Sequence, residues 1–220
     1  MKNTTLYSIL AITLCFLSAC SPNETVQNKS ESGVVTEKYT RNKETLAKDG
    51  LYEAFAENGK LVESAQYTND QLNGERRLYN EEGVLEIIEH YSNGKYEGDY
   101  EVFYANGQQK QKGAYSNDMA QGEWKTFYPN GKLKETVVIV DGEENGPFKE
   151  YSEKGILTAE GAYNGTDKDI GTPKEHGTLK IYDEITGDLV KEMKCNYGVC
   201  NTVWKKEGYE EELEIEAELN

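Results

Sequence analysis

The chain is short of the residues on which most enzymes and metal sites depend: two histidines, His90 and His176, and four cysteines in 220 residues. It holds no Gly-x-Ser-x-Gly, no His-Glu-x-x-His and no phosphate loop, so the common routes to a nucleophile, a zinc site or a nucleotide site are missing. Basic residues are scarce too, 24 Lys and Arg against 40 Asp and Glu, for a net charge of −16. A surface this negative repels phosphate, which excludes nucleic acid and disfavours anionic lipid. The amino-terminal apolar stretch, Leu6 to Leu17, is far shorter than the roughly 20 residues that span a bilayer. Each histidine reads as a surface residue, and no catalytic residue, metal ligand set or cofactor is assigned. The expectation is a protein that binds or scaffolds and is not an enzyme.

What the chain does have is a repeat. Gly50, Gly74, Gly98, Gly122, Gly146 and Gly177 open six similar segments, and the first four intervals are each 24 residues long. The units read GLYEAFAENGKL, GERRLYNEEGVL, GDYEVFYANGQQ, GEWKTFYPNGKL and GPFKEYSEKGIL, then a looser GTLKIYDEITGDL. Counting from the opening glycine, position +5 is always aromatic: Phe55, Tyr79, Phe103, Phe127, Tyr151 and Tyr182. Position +9 is Gly59, Gly83, Gly107, Gly131 and Gly155, and position +17 is Tyr67, Tyr91, Tyr115, Ile139 and Tyr163. A period in this range marks a supersecondary unit that must stack on its neighbours to bury its apolar side.

The unit has the physics of a hairpin. Asn58-Gly59, Asn106-Gly107 and Asn130-Gly131 are the pairs that tolerate positive φ at both centres of a two-residue type I′ turn. With that turn, strict alternation puts Tyr52, Tyr100, Trp124 and Phe148 on one face with Leu61, Leu85, Leu133, Leu157 and the closing tyrosines. The +5 aromatics have the opposite parity. A ribbon apolar on both sides leaves three outcomes: the sheet curls, a bulge returns the +5 aromatic to the core, or the row meets a partner. The row is therefore read two ways, as packing and as a partner-binding surface.

The recurring phrase resembles the MORN-repeat variant of many bacterial proteins, including those labelled YwqK-family antitoxins. The resemblance covers residues 50 to about 200 and implies an all-β, elongated antiparallel meander of about six stacked hairpins with a role in protein interaction. It implies no known reaction, and an immunity or antitoxin role is suggested by label only. The repeat array is placed at 50–207. Its last copy departs from the pattern, with Gly187 one place late, and the fifth copy is lengthened by the insert Thr166 to His176.

Outside the array, residues 1–19 read as a lipoprotein signal peptide. Leu17-Ser18-Ala19-Cys20 resembles the bacterial lipoprotein cleavage box, which makes Cys20 the lipidated first residue of the mature chain. Ser21 in place of Asp resembles the outer-membrane class, so the expected address is the bacterial envelope, anchored by lipid. Residues 20–49 are polar and read as a flexible tether. Cys195 and Cys200 bracket a second-turn position, where a hairpin brings them within disulfide range. Asp141 to Gly146 and Asp167 to Gly171 carry fragments of calcium-loop ligand sets, both incomplete. Residues 208–220 are an acidic edge strand or tail with Leu213, Ile215 and Ala217 alternating against glutamates. The leading partner is another protein, with a purely structural envelope role and cell-wall glycan binding through the tyrosines as alternatives.

Overall fold

A computed structural model describes residues 21–166 and 171–209. Among them every element is a strand, and all pairings are antiparallel neighbours in one open sheet. Seven hairpins follow one another: β1 (Asn23–Lys29) with β2 (Val35–Asn42), β3 (Lys48–Phe55) with β4 (Leu61–Thr68), and β5 (Gln71–Tyr79) with β6 (Leu85–Ser92). Next comes a strand interrupted at Glu97, written β7 (Lys95–Tyr96) and β8 (Gly98–Phe103), which pairs with β9 (Gln109–Ser116). β10 (Met119–Phe127) pairs with β11 (Leu133–Val140), and β12 (Glu143–Tyr151) with β13 (Leu157–Thr166). The last hairpin sets β14 (Pro173–Glu175) and β15 (Gly177–Tyr182) beside β16 (Leu189–Asn196), and β17 (Val199–Lys205) ends the sheet. No helix among the described residues is long and apolar enough to cross a membrane.

The array is longer than the sequence suggested. Residues 23–42, expected as part of a tether over 20–49, form a hairpin with the register of the others. Its turn, with Gly33 donating to Ser30 O and Ser30 to Val34 O, matches the turns at Gly59 and Gly107. The unit escaped notice because Glu24 stands where the others have the opening glycine and Lys29 where they have the aromatic.

The turn chemistry also differs from expectation. At Ala56 to Lys60, Gly59 N donates to Ala56 O and Ala56 N to Lys60 O, enclosing a three-residue loop in which only Gly59 has positive φ. This is a type I turn closed by a glycine bulge. Asn58 keeps negative φ, as the second central residue of a type I turn does, and its side chain bonds outward. Its Oδ1 accepts from Lys60 N at 2.9 Å, while its Nδ2 donates to Glu81 O of the next repeat at 2.9 Å. Asn106 reaches Pro129 O and Asn130 reaches Glu153 O in the same way, an asparagine ladder that ties turn to turn. The two-residue turns with positive φ at both centres lie at the other end of the strands, at Asn69-Asp70, Asn93-Gly94, Asn117-Asp118, Asp141-Gly142 and Tyr197-Gly198.

Each opening glycine sits in a bulge where one hairpin meets the next. At Gly74 φ is +123° and an added Cβ would lie 3.1 Å from Gln66 Cβ, so backbone conformation and close approach both require glycine. A second bulge falls just before each +5 aromatic, between Ala54 and Phe55, Leu78 and Tyr79, and at the equivalent places throughout. Here two residues oppose one, which breaks the alternation on the second strand.

The core stripe follows the expected +2 and +17 positions. Trp124, Val137, Phe148 and Ala159 are buried, with Tyr100, Tyr115, Ile139, Tyr163 and Leu179 packed against them. The rings meet edge to face or stacked, Tyr115 at 5.3 Å from Trp124 and Phe148 at 4.3 Å from Tyr163. Gly113 lies under Trp124, whose ring atoms come within 2.2 Å of where a Cβ would stand.

Candidate interaction surface

The second bulge corrects the placement of the leucines. Leu61 opposes Phe55, Leu85 opposes Tyr79, Leu133 opposes Phe127, and Leu157 opposes Tyr151. Directly opposed residues share a face, so these leucines leave the Trp124 stripe and join the +5 aromatics on the opposite side. Phe103 faces Gln109 and Tyr182 faces Leu189, which completes six cross-strand pairs. All twelve side chains are half-buried. Of the three outcomes open to the +5 row, the bulge did act, but it carried the leucine outward instead of the aromatic inward.

Polar and apolar groups border this row together. Tyr151 lines a shallow depression with Glu123, Thr136 and Lys149 on one hand and Val138, Pro147 and Phe148 on the other. Tyr182 donates its hydroxyl to Glu160 Oε1 at 2.7 Å, and Lys180 Nζ lies 3.1 Å from the same oxygen. The Tyr182 hydrogen bond and then the one from Lys180 hold the Glu160 carboxyl below its usual range, while burial and Glu160 push the Tyr182 phenol up to about 12. His90 lies on this face as well, its Nδ1 2.8 Å from Asp99 O. Tyr104 and Tyr128 each donate to a backbone carbonyl of the next repeat, Phe127 O and Tyr151 O, locking successive turns together.

The stripe face carries two cation sites that the sequence reading missed. Lys48 Nζ sits 4.3 Å from the ring centroid of Tyr52, 5.1 Å from Tyr67 and 5.4 Å from Tyr39. Beside this cage, Glu37 accepts from Tyr52 Oη at 3.0 Å and from Asn28 Nδ2 at 2.9 Å. The Asn28 bond is the strongest influence holding the Glu37 carboxyl below its usual range, burial opposes it, and the Tyr52 bond and Lys48 assist. One repeat on, Arg76 replaces the +2 aromatic. It bonds Glu63 at 2.7 Å and Glu89 at 3.2 Å, while Tyr91 and Tyr96 donate to Glu89 at 3.0 and 2.9 Å. Glu89 is 4% exposed with three donors around it. Burial opposes the charge of Arg76, yet the Glu63 hydrogen bond and attraction keep it protonated. The visible signal was the break in the +2 series itself, Arg76 among Tyr52, Tyr100, Trp124 and Phe148.

Cys195 and Cys200 face each other across β16 and β17 and are joined as a disulfide, Cα atoms 4.0 Å apart. Among the described residues, no group of three or more His, Cys, Asp or Glu is placed to hold a metal. Asp141 instead forms a turn and accepts from Gln121 at 2.9 Å. Cys20, the signal stretch 1–19, the Asp167 loop fragment and most of the acidic segment 208–220 lie outside the described residues.

With the hairpins and their register in view, the comparison with known families has a structural meaning. Residues 48–69, 72–93 and 120–140 match the MORN repeat variant. These segments coincide with the hairpins β3–β4, β5–β6 and β10–β11, so the matched unit is one strand, the glycine-bulge turn and the returning strand. The intervening hairpin β8–β9 has the same bulge before its aromatic. No curated protein matches the chain.

Proposed function

We propose that the protein is a non-catalytic repeat platform that holds another protein, anchored in the bacterial envelope through a lipidated Cys20. The observation that carries this reading is the row of six aromatic pairs, Phe55–Leu61 to Tyr182–Leu189, half-exposed along one face of an open sheet. Half-buried aromatics set among charges are the composition of protein-binding surfaces, and a long sheet offers many such positions in fixed register. The resemblance of the repeat phrase to that of proteins labelled antitoxins favours, by label only, an immunity-type partner, and the Leu17 to Cys20 box supports the anchor. The Cys195–Cys200 disulfide agrees with an exported location.

The test is a pull-down from the native envelope with residues 21–220 as bait, beginning before β1 so that the first hairpin stays whole. A bait carrying Phe103→Ser and Phe127→Ser, checked for fold by circular dichroism, serves as comparison. One protein retained in near-stoichiometric amount by the first bait and lost by the folded second bait supports the proposal. Retention of cell-wall fragments alone, or of nothing, contradicts it. Anchoring is tested separately: Cys20→Ser must move the protein from the detergent phase to the aqueous phase.

A further inference from the structure

The face that carries the +5 row repeats at a fixed step. Hairpins β8–β9, β10–β11, β12–β13 and β15–β16 lie side by side, because the insert between β13 and β15 still leaves Glu160 opposite Lys180. Phe103, Phe127, Tyr151 and Tyr182 are therefore each two strands apart, about 9.6 Å at the usual strand spacing. Beside this row the same face sinks into three shallow depressions, one for each step from hairpin to hairpin. Ala114, Val138 and Ala162 line them in turn, and each is bordered by the +3 lysine of the following strand, Lys125, Lys149 and Lys180. The result is a groove running across the strands, with an aromatic and a lysine at every hairpin from β10 on.

Among regular conformations, one keeps this step. A polyproline II helix turns the same face down every three residues, about 9.3 Å, and slips by only about 0.3 Å per hairpin. An α-helix laid the same way returns after seven residues, about 10.5 Å, a mismatch roughly three times larger. An extended strand returns about every 6.8 Å, which matches no single hairpin. Rows of aromatic rings are also the surface on which polyproline II segments dock, since that helix is preformed and loses little entropy on binding.

Charge marks a second contact in the groove. Lys112 stands directly opposite Lys125, and Thr136 and Lys149 follow on the same ladder. Like charges opposed in this way are destabilising. Lys125 has Glu123 at 2.6 Å, and Lys149 reaches Glu160 only at 4.0 Å. Lys112 makes no ion pair among the described residues, and Glu101 across the ladder from it accepts from Gln109 Nε2 at 2.7 Å instead. In a chain of net charge −16, this strip of lysines is short of counter-charge.

Resting on the protein-binding reading above, we propose that the groove receives a proline-rich segment of the partner in the polyproline II conformation, laid across the strands from Phe103 to Tyr182. Every third residue of the segment meets a +5 aromatic, and one of its carboxylates lies between Lys112 and Lys125.

The probe is a peptide of Pro-Pro-Glu four times over, titrated by NMR into the native protein at about 0.15 M salt, where a Debye length of about 8 Å screens the overall repulsion between two acidic molecules. It should bind. Gly-Gly-Glu four times over, of equal length and charge but without the preformed helix, should bind at least tenfold more weakly. Phe127→Leu with Tyr151→Leu, which keeps apolar bulk and removes the rings, should weaken the proline peptide at least tenfold. Lys112→Gln with Lys125→Gln should weaken it at least threefold, and this pair carries the test if the leucine variant fails to fold. Lys43→Gln with Lys60→Gln, an equal charge change on exposed turns, should leave affinity within twofold. No binding of the proline peptide, equal binding of the two peptides, or binding indifferent to the groove variants overturns the proposal. If an envelope protein is retained by the native bait and lost with Phe103→Ser and Phe127→Ser, yet the proline peptide does not bind, the platform reading stands and the polyproline II groove falls. If the proline peptide needs the groove and no protein is retained, the groove stands and the platform reading falls.

Discussion

Repeats 2 and 4 occupy the same scaffold and bury opposite chemistries. In repeat 4, opened by Gly122, the layer is Trp124 over Gly113, beside Val137 and Ile139; in repeat 2, opened by Gly74, the positions of Trp124, Val137 and Ile139 hold Arg76, Glu89 and Tyr91. Glu89 is 4% exposed where Val137 is 6% exposed, so the carboxylate is as buried as the valine it replaces, while the Arg76 side chain keeps 25% exposure where Trp124 is 5% exposed. The backbone devices are shared: the glycine bulge at the opening, the bulge before the aromatic, and the two-residue turn at the far end. The asparagine of the first turn is shared less strictly. Repeat 2 has Asn80 at the start of that turn, accepting from Glu82 and Val84, where repeat 4 has Asn130 bridging to Glu153. Position is thus set by the main chain, and the layer tolerates either a dry contact or a fully hydrogen-bonded ion network. That tolerance is what allows charged nests to be placed along an otherwise aromatic stripe.

The comparison can be broken most forcefully in repeat 4. Trp124→Ser should cost about 3–5 kcal/mol by the cavity it leaves, read as a fall in the denaturant midpoint at constant slope. Gly113→Ala should be nearly as damaging, because a Cβ would stand 2.2 Å from the Trp124 ring, an overpacking of about 1–3 kcal/mol or more. Trp124→Phe should be mild by contrast, since the indole Nε1 is buried without a hydrogen-bond partner and the smaller ring removes that orphan donor.

Opening the Cys195–Cys200 bridge with paired serines should cost about 2 kcal/mol at most for so short a loop. Hydrogen exchange should show the loss confined to β16 and β17. The smallest effect is in pH dependence. Burial, and for Glu135 the neighbouring Glu144 and Glu150, raise the Glu135 and Glu144 carboxyls above their usual range in the folded chain. A carboxyl raised by folding holds its proton more tightly in the native state, so it adds stability as pH falls through the raised value and subtracts above it. Glu37 and Glu160 are lowered and act with the opposite sign, stabilising near neutrality and losing that effect in acid. Glu135→Gln with Glu144→Gln should therefore melt above the native protein at pH 7, with the gap closing as the pH approaches 4. A gap independent of pH would show that these carboxyls are not strained.

The sequence disclosed the parts of the fold that recur. Opening glycines, the +2 and +17 core positions, the hairpin unit and the Cys195–Cys200 pairing were all readable, because each is fixed by a local steric need repeated at constant spacing. The first hairpin was hidden where Glu24 and Lys29 replace the marker residues. The leucine row was misplaced because simple alternation fails at a bulge, and a bulge here is announced only by Gly59 belonging to a three-residue loop instead of a two-residue one. The cation nests were not legible as sites, since Lys48, Tyr39, Tyr52 and Tyr67 come together only once three strands are in register. Arg76 and Glu89 could have been noticed as paired exceptions in two apolar series, 13 residues apart on opposed strands.

The account rests on the exchangeability of that layer, and a double-mutant cycle at Arg76 and Glu89 tests it most directly. Arg76→Leu alone leaves Glu89 buried with its cation removed and should cost about 3 kcal/mol, whereas Arg76→Leu with Glu89→Val should fold and match or exceed the native stability. A double variant that loses as much as the two single changes added together would contradict the claim that the backbone, and not the ion network, holds the repeat in place.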